Sequence, residues 1–162
     1  MIKDYKKLSR KTVIDLGRSM IIAALESKGY SVNFEGPYLR AHLNDDVNDL
    51  LIYCASKEFS RKTKRETTQF KVEDSAINKL KNYAEESQDV FNLCIAYSLI
   101  KYQITDLEVV ILPVQAIENN AEVGGVYSRS SEKYYYNYDA IKNDELPPGG
   151  ILRILWSSSG LM

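Results

Sequence analysis

NDLLIYCAS at residues 48–56 and TTQFKVED at residues 67–74 are the stretches on which the reading of this chain turns. The first opens on Asn48 and Asp49 and then runs almost unbroken apolar from Leu50 to Ala55, the pattern of a strand covered on both faces. The second alternates: Thr68, Phe70 and Val72 fall on one face and Gln69 and Lys71 on the other, the period-2 signature of a strand whose two faces do different jobs. Between them KEFSRKTKR, residues 57–65, sets Lys57, Arg61, Lys62, Lys64 and Arg65 against Glu58 alone. That run is too polar for a core element and too short for a helix, so it reads as a solvated hairpin loop. Two strands joined this way pair antiparallel, which brings Asp49, at the start of the first, toward Lys71, near the end of the second.

Working outward, Thr12–Lys28 places Val13, Leu16, Met20, Ile21, Ala24 and Leu25 at helical spacing, with Thr12 and Asp15 spaced as a capping box and Gly29 where a left-handed C-cap falls. YSVNFEGPY then reads as a short strand with Val32 and Phe34 alternating before the Gly36-Pro37 break. After the second stretch, Asp74 is placed to cap a helix carrying Ile77, Leu80, Tyr83 and Ala84. VFNLCIAYSLI and LEVVILPV follow as two strands joined by KYQITD, and Pro113 marks the end of the second or an edge position. From Ala121 the pattern weakens: SEKYYYNYDAI reads as a strand or hairpin and PPGGILRILW as a turn with a last apolar stretch. The order predicts one α/β domain over 1–162, a mixed central sheet flanked by helices with its core at about 12–117 and a variable extension at about 121–162.

Composition agrees with a single folded unit. The 162 residues are 44% hydrophobic and 27% charged with 8 Gly and 4 Pro, which excludes disordered and collagen-like chains. Lys and Arg total 21 against 22 Asp and Glu, so net charge alone would not draw this protein to nucleic acid, and any such attraction has to be local. Cys54 and Cys94 both lie in apolar runs and read as buried residues of a reducing, cytoplasmic protein, with no disulfide framework or zinc site. No run approaches the length of a membrane span.

Asp49 and Gln69 supply hard oxygen donors of the kind Mg²⁺ takes, and Lys71 complements an anionic substrate, so the three together suit phosphodiester hydrolysis. The helix at 12–28 with the strand after it (LGRSMIIAALESKGYSV), NDLLIY, and TTQFKVED resemble the PD-(D/E)XK nuclease superfamily, which has the restriction-endonuclease-like fold. The resemblance covers roughly residues 12–117 and rests on short, degenerate motifs. It implies a metal-dependent nuclease-like domain cutting DNA, with Asp49 as the main ligand of Mg²⁺ or Mn²⁺, Gln69 in place of the usual acidic ligand and Lys71 as the catalytic lysine. It also implies a homodimer and an acidic residue on the first helix, for which Glu26 and Asp15 are the candidates. Asn48 stands where the motif's proline would be, and Gln69 removes a charge that helps hold the metal.

Other readings stand beside this one. Asp49 follows NDDVN, a turn-rich run in which Asp45 and Asp46 are rivals, and Lys71 with Gln69 would suit the solvated face of an edge strand. The Gln-x-Lys variant also fits a catalytically inactive member of the fold that binds proteins or nucleic acid, and an unrelated α/β interaction protein is the third alternative. Arg61, Lys62, Lys64 and Arg65 are candidate phosphate contacts or an ordinary charged loop. Tyr134, Tyr135, Tyr136 and Tyr138 offer rings for stacking on unpaired bases or alternate between core and surface on a strand. His42, the single histidine, reads as a loop residue, and the Gly124-Gly125 and Gly149-Gly150 pairs read as turns rather than phosphate-binding loops.

Overall fold

A computed structural model describes residues 8–59, 69–101, 106–118, 126–128, 133–137 and 152–157. The leading helix α1 (Arg10–Ser27) starts two residues earlier than its expected cap. Ser9 is extended and its hydroxyl accepts the Thr12 N–H at 3.2 Å, so Ser9 rather than Thr12 satisfies the first orphan donors. The helix closes where expected, with Gly29 at φ +93 and the Tyr30 N–H returning to the Leu25 carbonyl at 3.1 Å. Its buried stripe is Val13, Gly17, Met20, Ile21, Ala24 and Leu25.

The segment after α1 makes two strands where the sequence suggests one. β1 (Ser31–Glu35) turns through Gly36-Pro37 into β2 (Tyr38–His42), with Glu35 paired to Tyr38 across the turn. Gly36 has φ +56, and a Cβ there would meet the Tyr83 ring at 3.0 Å, so backbone conformation and packing both demand glycine. Along β2 Leu39 and Ala41 are buried and alternate with the half-buried Arg40 and His42, but Tyr38 is buried as well and the alternating run is only four residues long. β3 (Leu50–Phe59) then runs to Phe59, three residues into the stretch expected to loop.

β3 and β4 (Gln69–Glu73) do not form the expected hairpin. β3 pairs antiparallel with β2 from Leu50 to Ile52 and parallel with β5 (Asn92–Lys101) along all ten residues, from Leu50↔Asn92 to Phe59↔Lys101. The physical reason lies in their patterns. β3 is apolar on both faces and needs the middle of a covered sheet, whereas β4 has one apolar face and serves as a cover: Val72, 2% exposed, packs into the core from outside the large sheet.

α2 (Asp74–Glu86) follows β4 directly and is the crossover between the parallel pair β3 and β5. Glu73 occupies its cap position and Asp74, expected as the cap, is its first helical residue, where its charge suits the helix dipole. β6 (Asp106–Pro113) returns antiparallel to β5 and ends at Pro113, after which a short helix, α3 (Val114–Glu118), follows unforeseen. The weakly patterned 121–162 stretch supplies β7 (Val126–Ser128), β8 (Lys133–Asn137) and β9 (Leu152–Ser157).

β9 pairs with β6, giving a six-stranded sheet in the order β1-β2-β3-β5-β6-β9, and β4, β8 and β7 form a second sheet of three strands. Helix α1 covers one face of the large sheet, where Ile21 and Leu25 join Leu39, Ile52, Ala96 and Ile111. On the other face Ile77 and Leu80 of α2 and Ile117 of α3 join Leu51, Ile95, Leu99 and Val110. The chain is thus a mixed α/β sheet flanked by helices, the layout implied by the resemblance. No helix among the described residues is long and apolar enough to cross a membrane.

Candidate functional site

Asp49 stands one residue before β3, at the end of the sheet where β2 finishes. Ala41 is paired with Leu50, so the next position of each strand sets His42 opposite Asp49, and Arg40, two residues from His42, shares its face. Arg40 Nε donates to Asp49 Oδ2 at 2.7 Å, and His42 Nδ1 lies 2.6 Å from Asp49 Oδ1. Both carboxylate oxygens are therefore held. Arg40 also donates from Nη1 to Asp89 Oδ2 at 3.0 Å and lies over the Phe91 ring, 4.8 Å from its centroid. On the outer side His42 Nε2 lies 3.4 Å from Asp45 Oδ1. The Asn92 N–H donates to the Asp49 carbonyl at 2.9 Å, which ties this corner to the start of β5.

The electrostatics follow from this geometry. The hydrogen bonds from His42 and Arg40 hold the Asp49 carboxyl below its ordinary value of 3.8. Reciprocally, the Asp49 contact raises His42 above 6.5, and Asp49 with Asp89 raises Arg40. The shifts of Asp49 and His42 are the two ends of one interaction. His42 contributes stability that is full below its unfolded value near 6.5 and is lost as pH rises through its higher folded value. The Asp49 contribution is present above 3.8 and is lost as pH falls through its depressed folded value. Wild-type stability should therefore decline as pH rises above about 6.5, and His42→Gln should flatten that decline. Urea midpoints measured across this range check it: a wild-type profile as flat as the variant's would show that the imidazole gains nothing from Asp49.

Of the other expected site residues, Gln69, Lys71, Asp15 and Glu26 lie on described elements. Gln69 and Lys71 are on β4, which pairs with β8. β4 feeds the first residue of α2, whereas Asp49 lies near the segment that follows the last residue of α2, through Arg40 and Asp89. The 13 residues of α2 span about 20 Å. No strand pairing among the described residues brings Gln69 and Lys71 to Asp49. Asp15 and Glu26 are exposed on α1, away from its buried stripe. Arg61, Lys62, Lys64 and Arg65 lie outside the described residues.

His42 closes β2 rather than lying in a loop, and its contact with Asp49, alongside that of Arg40, is what sequence reading misses. The only signal was their spacing of two in YLRAH, which says nothing of a partner until the register with Asp49 is known. This arrangement does not suit Mg²⁺ or Mn²⁺. A divalent cation would have to displace a guanidinium and an imidazole from the one carboxylate expected to bind it. Among the described residues no group of three or more His, Cys, Asp or Glu is placed to hold a metal.

No family of known proteins and no individually curated protein matches this sequence. Among solved structures the chain is similar to the 1.6 Å structure of a Holliday junction resolvase from the archaeal hyperthermophile Archaeoglobus fulgidus, with 12% identity and a TM-score of 0.47 over 82% of this chain and 93% of that one. At that identity and TM-score the likeness carries no weight for function, and the fold described above rests on this chain's own strand order and helix placement.

Proposed function

We propose that this chain is a nucleic-acid-binding domain on a nuclease-like scaffold, in which Asp49 fastens the end of the sheet instead of holding a catalytic metal. The observation that carries the second half is the capture of both Asp49 oxygens, by Arg40 at 2.7 Å and His42 at 2.6 Å. An ion-paired carboxylate in a ligand set that also lacks the usual acidic partner, replaced by Gln69, is a poor start for a metal site. The first half is supported by the resemblance of NDLLIY and TTQFKVED to nuclease motifs and by the concentration of Lys and Arg between Lys57 and Lys71 in a chain of net charge −1.

The test is a panel of linear, nicked, single-stranded and branched DNA incubated with Mg²⁺ or Mn²⁺, for wild type beside Asp49→Ala and Lys71→Ala, with calorimetric titration of each metal. No metal-dependent cleavage and no saturable heat of binding are expected. Cleavage that Lys71→Ala and Asp49→Ala both abolish would overturn the proposal and establish the alternative, in which Asp49, Gln69 and Lys71 hydrolyse DNA with a bound metal. Light scattering of the same samples reads whether the domain is the homodimer that the resemblance implies.

A further inference from the structure

We propose that the free edge of β1 is a dimerisation edge, to which a second copy of this chain adds its own β1, antiparallel and centred on Asn33, joining the two large sheets into one. The resemblance to nucleases implies a homodimer but no surface for it. The surface follows here from the strand itself, independently of any nucleic-acid reading. β1 is the outermost strand on one side of the six-stranded sheet, and among the described residues it is paired with β2 alone. Its register with β2 is unbroken from Ser31↔His42 to Glu35↔Tyr38, so no bulge turns it away from a neighbour. Two further devices that keep edge strands apart are also missing, since SVNFE contains neither lysine nor proline. The edge is open: Ser31, Asn33 and Phe34 are exposed, Phe34 to 67%.

The backbone decides how a second strand can add. Gly36 and Pro37 make a two-residue hairpin loop, which closes on a hydrogen-bonded pair, Glu35↔Tyr38. Alternation from that pair turns the N–H and C=O of Ser31, Asn33 and Glu35 toward β2, and those of Val32 and Phe34 toward the open edge. An antiparallel copy has to draw its hydrogen-bonded pairs from those two residues. The register that uses both, and leaves no residue of the strand unpaired, sets Val32 opposite Phe34 of the second copy and Phe34 opposite its Val32. Asn33 then lies on the two-fold axis, and the contact is isologous and closed.

The side chains suit this register on both faces. Val32 packs against the core beneath α1, and Arg18 of α1 lies over the Phe34 ring, 5.8 Å from its centroid, so both residues face the α1 side. Pairing them across the axis makes one continuous apolar strip and covers a ring that water reaches in the single chain. On the opposite face Ser31 meets Glu35 of the second copy, a hydroxyl donor against a carboxylate whose Oε1 accepts from the Tyr83 hydroxyl at 3.4 Å. Asn33 meets Asn33 of the second copy, each amide offering a donor and an acceptor. No like charges oppose one another, because Glu35, the one ionisable residue of β1, is paired with Ser31 and not with itself. A strand of another sequence would lose this match, which is why the occupant is a second copy. A contact of this length lies at the low end of specific interfaces, so the dimer should form and dissociate with concentration.

Sedimentation equilibrium of the full chain, from micromolar to submillimolar concentration, reads the association directly, and a dimer that dissociates on dilution is expected. Phe34→Lys, which puts a cation on an exposed edge position, should raise the dissociation constant about tenfold or more. Phe34→Pro should do the same, because the N–H it removes points to the open edge and not to β2. Circular dichroism checks that both variants keep the fold. Cross-linking tests the register and remains decisive if either variant does not fold. Asn33→Cys sets its thiol opposite itself at a non-hydrogen-bonded position, with Cα atoms about 4.5 Å apart, and mild oxidation should join it into a covalent dimer. Glu35→Cys, whose copies would lie four residues apart along the strands, about 13 Å, should not link. Wild type oxidised alongside accounts for Cys54 and Cys94. A chain that is monomeric throughout the range, a dimer indifferent to both Phe34 variants, or Asn33→Cys linking no faster than Glu35→Cys would overturn the proposal.

Discussion

Asp49→Ala should lower the free energy of unfolding by about 2–3 kcal/mol, because it removes the acceptor that Arg40 Nε and His42 Nδ1 share. Breaking a fully buried ion pair costs about 3–5 kcal/mol. Here the Asp49 side chain is 15% exposed but Arg40 is 30% and His42 43% exposed, so solvent recovers part of the loss, and Arg40 keeps Asp89 as a second partner. Asp49→Asn keeps the shape and one acceptor oxygen, and should lose about 1 kcal/mol. Urea unfolding of Asp49→Ala, Arg40→Ala and the variant carrying both, beside wild type, closes a double-mutant cycle whose coupling reports the pair itself.

The sign of the effect matters more than its size. A carboxylate kept for a metal is repelled by its neighbouring ligands when the metal is absent, so removing it tends to stabilise the metal-free protein. A carboxylate held by an arginine and a histidine does the opposite when it is lost. Stabilisation of the metal-free protein by Asp49→Ala would therefore refute the fastening role by equilibrium unfolding alone, independently of any cleavage assay.

What could be read from the sequence, and what could not, follows from the range of the interactions involved. The stripe from Val13 to Leu25 fixes α1 because helical neighbours lie within four residues, and even its start moved only as far as Ser9, whose hydroxyl proved to be the available cap. The apolar run of β3 announces a strand covered on both faces, which is its place in the sheet, and VFNLCIAYSLI announces the strand that becomes β5. Pairing is another matter. Alternation in TTQFKVED shows which residues share a face but not which strand lies alongside, and the hairpin between β3 and β4 was inferred from closeness in sequence. The actual partners are distant: Leu50 pairs with Asn92 and Gln69 with Asn137. The same limit hid the candidate site. Asp49 was identifiable, but whether it faces a metal or two cations depends on the register between β2 and β3, which places Arg40 and His42 beside it.

Gly17→Val should destabilise the fold by about 3 kcal/mol, since it forces bulk into the closest contact between α1 and the large sheet. A Cβ at position 17 would collide with the hydroxyls of Ser56 on β3 and Ser98 on β5 and come 2.8 Å from the Ser56 Cβ. Those hydroxyls have little room to retreat. They are bonded to each other at 2.7 Å, Ser98 is fully buried and also donates to the Ala55 carbonyl at 3.3 Å, and Arg10 reaches the Ser56 carbonyl at 3.2 Å from the first residue of α1. Gly17→Ala carries a compensating helix-propensity gain of about 1 kcal/mol and should cost correspondingly less. Combining it with Ser56→Gly, which removes both the hydroxyl and the Cβ in its way, should give less than the sum of the two single losses. Strict additivity, or a Gly17→Val protein with an unchanged urea midpoint, would mean that α1 does not sit against β3 and β5 at this point. The two core clusters would then need a different arrangement of the helix over the parallel strand pair.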